Sequence, residues 1–145
     1  MGESGYFVTY EQVDPLFSVD LSDPEKPKIL GKLKIPGFSE YLHFYGEDRL
    51  LGIGMSTDEE SGVAEGVKIT MFDISDRSDV KEESTLVLDD LYGSHAAYDY
   101  KSVLADPEKN VIGLSGYSQN GESYYLLTYN RTCLLYTSDA ADDKA

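Results

Sequence analysis

The chain has no tryptophan, one cysteine and two histidines. Two imidazoles, His43 and His95, are far too few for a His-rich metal site. Basic residues are scarce as well: 12 Lys and Arg stand against 27 Asp and Glu, and the net charge is −15. A surface of that sign repels a phosphate backbone or an anionic lipid surface, so no nucleic acid is expected as a partner. No apolar run reaches the length needed to span a bilayer, so no membrane span is expected within the chain. Nor does any stretch carry a capped apolar period of 3.6 residues, which limits helix to a single turn.

What the chain does have is strand-forming material. Apolar residues make up 41% of it, too many for a disordered acidic tail. They are mostly Leu, Val, Ile and Tyr, and twelve tyrosines suit pleated, half-buried surfaces. Strand-like runs follow one another: YFVTYEQV, LFSVDLS, KILGKLKI, YLHFYG, RLLGIGM, VKITMFDIS, STLVLDD, YKSVLAD, NVIGLSGY and YYLLTYN. Turn residues separate them, among them Asp14-Pro15, Pro36-Gly37, Gly46 to Asp48 and Pro107 to Lys109.

These runs recur in order. Val19-Asp20-Leu21-Ser22-Asp23 matches Phe72-Asp73-Ile74-Ser75-Asp76, and Gly2 to Val8 matches Gly46 to Gly52. Leu50 to Gly54 matches Val111 to Ser115, and Tyr129-Asn130 echoes Phe72-Asp73 in a third copy. The stretch from Ser56 to Gly66 reads as a lengthened loop. A period of about fifty residues with some four short strands per unit is the pattern of a propeller blade. The expected fold class is all-β, a β-propeller fragment of about two and a half four-stranded antiparallel blades. The partial first blade spans about 1–36, the full blade about 38–90 and the last partial blade about 95–131.

The segment from Cys133 to Ala145 departs in style from the rest. Its start, CLLYTSDAAD, can be written in codons that resemble a transposon-end adapter used in short-read sequencing libraries. Residues 133–145 are therefore expected to be a non-native tail, with the propeller fragment ending at 132. The only cysteine falls there, so cysteine counting says nothing about redox compartment.

The ordered combination Asp14-Pro15-Leu16, the DLSDP turn, Ile35-Pro36-Gly37, Tyr41-Leu42-His43 and Leu51-Gly52-Ile53-Gly54 resembles a known family. This is the secreted bacterial and archaeal β-propeller domain family distantly related to WD repeats. The resemblance covers nearly all of residues 1 to 130. It implies an extracellular or cell-surface protein, anchored to a membrane, if at all, through an N-terminal segment outside this chain. The family places Asp-His-Lys where this chain has Asp99-Tyr100-Lys101, and it supplies no established catalytic residue to carry over.

Chemically interesting residues fall into four sets. Asp20, Asp23, Asp73 and Asp76 offer clustered oxygens in the two DxSD turns, so a Ca2+ site is conceivable. The same side chains can instead close Asx-turns by accepting backbone N–H groups. Asp58, Glu59 and Glu60 form an acidic loop, read either as a contact for a cation or basic partner or as a solvated insertion. Ser94, His95 and Asp99 place the residue types of a hydrolytic triad side by side, but adjacency in sequence is not triad geometry, and no G-x-S-x-G elbow accompanies them. Tyr98, Tyr100, Tyr117, Tyr124 and Tyr125 could line a sugar- or peptide-binding face, though strand packing accounts for most tyrosines. The resulting expectation is a non-catalytic binding or scaffold module at the bacterial cell surface. It would take a protein or cell-envelope ligand through its blade loops and use no cofactor. The alternative is a propeller accessory to a hydrolase whose catalytic domain lies outside the chain.

Overall fold

The computed structural model describes residues 3–8, 15–34, 38–58, 60–130 and 133–139. Eleven strands form three antiparallel sheets among these residues. The first sheet contains β1 (Ser4–Val8), β2 (Pro15–Asp20) and β3 (Lys28–Lys34), in that order. The second contains β4 (Phe38–Phe44), β5 (Arg49–Thr57), β6 (Ala64–Asp73) and β7 (Lys81–Leu88). The third contains β8 (Leu104–Asp106), β9 (Val111–Ser118), β10 (Gly121–Asn130) and β11 (Cys133–Asp139). Every pairing is between chain neighbours, the meander expected of a blade.

The second sheet shows why its central strands are apolar on both faces. Side chains alternate across a strand, so Leu50 and Phe72 point one way while Leu51, Ile53, Ile69 and Met71 point the other. The first pair meets Leu16 of the first sheet, together with Ile74 and Val80, and Tyr6, Val8, Leu33, Leu42 and Phe44 close around them. The second group meets Ile112, Leu114, Tyr125, Leu127 and Tyr129 of the third sheet, with Leu91 and Ala96 from the connection between the two. Both seams are dry. Each fully buried Leu, Ile or Phe contributes about 1.5–3 kcal/mol relative to exposure.

The connection between β7 and β8 does not begin a strand at Tyr100, as the run YKSVLAD suggests. Residues His95–Ala97 and Tyr100–Ser102 form two single 3-10 turns, and β8 starts only at Leu104. Ser94 Oγ accepts the Ala96 N–H and Asp99 Oδ1 accepts the Lys101 N–H. A small hydroxyl and a carboxylate placed just ahead of short backbone turns favour this local capping over strand pairing.

The third sheet differs from expectation in two ways. It holds a fourth strand, because Cys133–Asp139 pairs along β10 from Asn130 to Tyr125 and fills the outer place of the sheet. The tail expected from 133 onward thus begins with an edge strand, held by its backbone. Its equivalence with the second sheet is also offset from the sequence match. Ile112 pairs with Leu127 and shares its face towards the second sheet, whereas Leu51, its sequence match, faces away from the first. A β8–β9 turn of different length shifts the register by one, which moves every side chain to the opposite face.

Candidate functional site

The two DxSD turns join the last two strands of a sheet, β2 to β3 and β6 to β7, at the same place in successive sheets. In the first copy Asp20 Oδ1 accepts the Ser22 N–H at 2.9 Å, and Asp23 Oδ1 accepts the Glu25 N–H at 3.1 Å. In the second, Asp73 Oδ1 takes the Ser75 hydroxyl at 2.6 Å and its N–H at 2.9 Å. Asp76 Oδ1 takes the hydroxyl and N–H of Ser78 in the same manner. These bonds favour the ionised carboxylate and hold Asp20, Asp73 and Asp76 below the usual aspartate range. Among the described residues, no three His, Cys, Asp or Glu side chains gather where they could hold a metal ion.

The second turn also braces the neighbouring sheet. Ile74 and Val80 are buried in the first seam, and Ser18 Oγ of β2 donates to the Arg77 carbonyl at 2.5 Å. A Cβ on Gly31 of β3 would stand 2.9 Å from the Ser78 carbonyl oxygen, so only glycine fits there. Leu21, the counterpart of Ile74 in the first turn, is exposed.

A polar clamp closes the second seam at the same end of the molecule. Arg49 Nε lies 2.5 Å from Glu83 Oε2 and its Nη1 lies 3.5 Å from Asp73 Oδ1. Tyr129 of β10 donates its hydroxyl to Glu83 and receives a long bond from Arg49 Nε, at 3.4 Å. Asn110 Oδ1 accepts both the Tyr45 hydroxyl and the Tyr129 N–H at 3.1 Å. Burial, and after it the bond to Glu83, raises the Tyr129 phenol above its ordinary range. The clamp ties two sheets together.

Lys68 was not singled out from the sequence. It sits buried in β6 on the side facing the first sheet, and desolvation lowers its ammonium pKa, partly offset by Glu82. The available signal was a cation between the apolar residues of VKITMF.

In the acidic loop, Asp58 is engaged within the turn itself. Asp58 Oδ1 is taken by Ser61 N at 2.7 Å, Ser61 Oγ at 2.8 Å and Glu60 N at 3.1 Å. Asp58 therefore shapes the loop from within, and these bonds lower its pKa. Glu60 is exposed, and Glu59 lies outside the described residues.

At the opposite end from the clamp, the β7–β8 connection folds over the inner edge of the third sheet. Tyr92 N–H donates to the Tyr117 carbonyl and Tyr117 N–H to the Gly93 carbonyl, so the connection takes the place beside β9 that β8 leaves open. Tyr92, Tyr98 and Tyr100 stand 67%, 71% and 67% exposed. Tyr98 and Tyr117 share a hydroxyl–hydroxyl bond of 2.6 Å. The Tyr92 and Tyr117 rings lie within 22° of parallel, and His95 meets the edges or faces of Tyr98 and Tyr117 at 5.4 and 4.7 Å. Partial withdrawal from water, then the Tyr98 hydroxyl and the charge of Glu122, push the Tyr117 phenol up to about 12. Tyr98 and Tyr117 are thus brought together and Tyr100 stands exposed on the same connection, whereas Tyr125 is buried in the second seam and Tyr124 is half-buried over Gly113. Tyr92 and Glu122 belong to this face and were missed, because their strand neighbours are set by pairing distant in sequence.

Ser94, His95 and Asp99 do not form a relay. Ser94 Oγ donates to the Ser115 carbonyl at 2.5 Å, and Asp99 caps the second 3-10 turn. His95 points one nitrogen, Nδ1, at both Ser115 Oγ (2.9 Å) and Glu122 Oε1 (2.8 Å). A nucleophile–base–acid relay needs opposite ring nitrogens for its two partners. His43 is exposed on β4, its Nδ1 2.6 Å from the Phe44 carbonyl.

Sheets of three and four strands, stacked through apolar seams, define a blade-repeat protein. The family model described as a beta propeller domain matches residues 1–144, and the chain belongs to that family. It is 41% identical over 128 residues to an uncharacterised protein of Archaeoglobus fulgidus, covering 88% of this chain and 19% of the relative. It is 40% identical over 118 residues to an uncharacterised protein of Methanocaldococcus jannaschii, covering 81% of this chain and 18% of the relative. Both relatives are archaeal, and the chain spans about a fifth of their length.

Proposed function

We propose that the chain is part of a non-catalytic binding or scaffold propeller in an extracytoplasmic or cell-surface protein, with its ligand on the tyrosine face of the third sheet. The observation that carries this reading is the exposure of Tyr92, Tyr98 and Tyr100 on a connection bonded rigidly to β9. Large exposed rings held by backbone bonds lose little entropy when a ligand covers them. Soluble chains do not ordinarily gather such rings without a partner. A binding role also suits the polar groups present, since the His95 geometry favours holding Tyr98 and Tyr117 in place over moving a proton.

The test is retention of the intact protein on washed cell envelopes. Retention is expected, and the Tyr92→Ala/Tyr98→Ala double variant should lose most of it. Association with cytosolic components alone would contradict the reading.

A further inference from the structure

The tyrosine face carries a charge pattern that narrows the class of ligand. Asp89, Asp90 and Asp99 are exposed on the connection itself, and Glu122 stands beside His95 on β10. Within residues 89–103 Lys101 is the one lysine or arginine, and His95 is paired with Glu122. The Lys101 ammonium already lies over the Tyr100 ring, 5.9 Å from the centroid. Lys32 makes the same contact with Phe17 at 5.5 Å on the first sheet.

We infer that the face formed by Tyr92, Tyr98 and Tyr117 binds a basic peptide segment, with an arginine or lysine side chain laid on the rings. This rests on the binding-module reading above and adds the chemistry of the ligand. An aromatic face attracts a cation through its quadrupole, the more strongly as the contact loses water. A guanidinium adds planar stacking and leaves its N–H groups free for carboxylates. Glu122, paired across from Tyr117, supplies a carboxylate beside the rings, and Asp89, Asp90 and Asp99 add exposed negative charge on the same connection. A neutral sugar would also stack on tyrosine, but it would gain nothing from the surrounding acids. An anionic chain would be repelled by them and by the net charge of −15. Of these carboxylates Glu122 acts on Tyr117, adding to the rise in its phenol pKa that burial and the Tyr98 hydroxyl produce first.

The experiment is calorimetric titration of the intact protein with a Gly/Ser peptide bearing two arginines, and with the same peptide carrying citrulline at both positions. Citrulline keeps the shape of the side chain and removes its charge. Cellohexaose serves as a neutral stacking probe. The arginine peptide should bind at least tenfold tighter than its citrulline counterpart. Tyr98→Ala should weaken it at least fivefold, while Tyr98→Phe, which keeps the ring, should bind almost as the parent does. Equal binding of the two peptides, or no effect of Tyr98→Ala, overturns the inference. Cellohexaose binding that Tyr98→Ala abolishes, without arginine preference, overturns the peptide assignment and leaves the binding face in place. If the peptides fail while envelope retention persists, the peptide assignment alone falls; if both fail, the binding-module reading falls with it.

Discussion

Single aspartates do most of the local shaping. Asp20, Asp58, Asp73 and Asp76 each spend a carboxylate oxygen on the backbone or hydroxyl of a residue two or three positions on. That use was legible in the sequence, because Asp and Ser at this spacing close turns wherever a strand reverses. Whether such oxygens point into the turn or out of it was not legible, and Asp58 Oδ1 turns out to accept from Glu60 and Ser61 inside its own loop. The lowered pKa values give the effect of acid a sign. A carboxylate whose folded pKa is depressed contributes stability above its unfolded value, near pH 3.9, and loses it as pH falls through the folded value. The melting temperature should therefore hold from neutrality to about pH 4 and fall below it. Replacing Asp20, Asp58 and Asp76 together by Asn leaves only a neutral acceptor in each turn, so the acid slope should flatten because the melting temperature at pH 7 drops toward its acid value. Ca2+-held turns would instead show a melting temperature lowered by chelation at neutral pH.

At the level of strands and seams, sequence periodicity located nearly every element, and β5, β6, β9 and β10 fall on the runs RLLGIGM, VKITMFDIS, NVIGLSGY and YYLLTYN. Composition could not give the register of the third sheet. The sequence match of Leu50 to Val111 is locally good, yet the turn between Asp106 and Val111 moves the face by one residue. Composition also hid the close approach at Gly31, because its partner atom, the Ser78 carbonyl, lies in the next sheet. Gly31→Ala is expected to destabilise by about 1–3 kcal/mol, since a backbone oxygen cannot rotate aside. Leu51→Ala, in the second seam, should cost about 2–5 kcal/mol. Ile29→Ala, on an exposed position of the same strand as Gly31, should stay within about 0.5 kcal/mol. Chemical denaturation of the three variants checks the order.

Across the whole molecule, the repeated phrase that first draws the eye marks inter-blade architecture. The turn from Ile74 to Val80 seals one seam, the Arg49–Glu83–Tyr129 clamp seals the other, and both lie at the end opposite the tyrosine face. Rigid seams below and a capped connection above hold the rings of Tyr92 and Tyr98 in place. The fold could be read from the repeat. The tyrosine face could be read only in part, because it is assembled from the β7–β8 connection and the far ends of β9 and β10. An alternative cover for these rings is a following blade of the same ring, which would make them packing residues.

Calorimetric melting of the intact Tyr92→Ala/Tyr98→Ala variant, set beside its envelope retention, separates the two most directly. The account predicts a melting temperature within about 2 °C of the parent, the response to a surface substitution worth no more than ~0.5 kcal/mol, together with loss of retention. A clear fall in melting temperature, or retention unchanged, would contradict it.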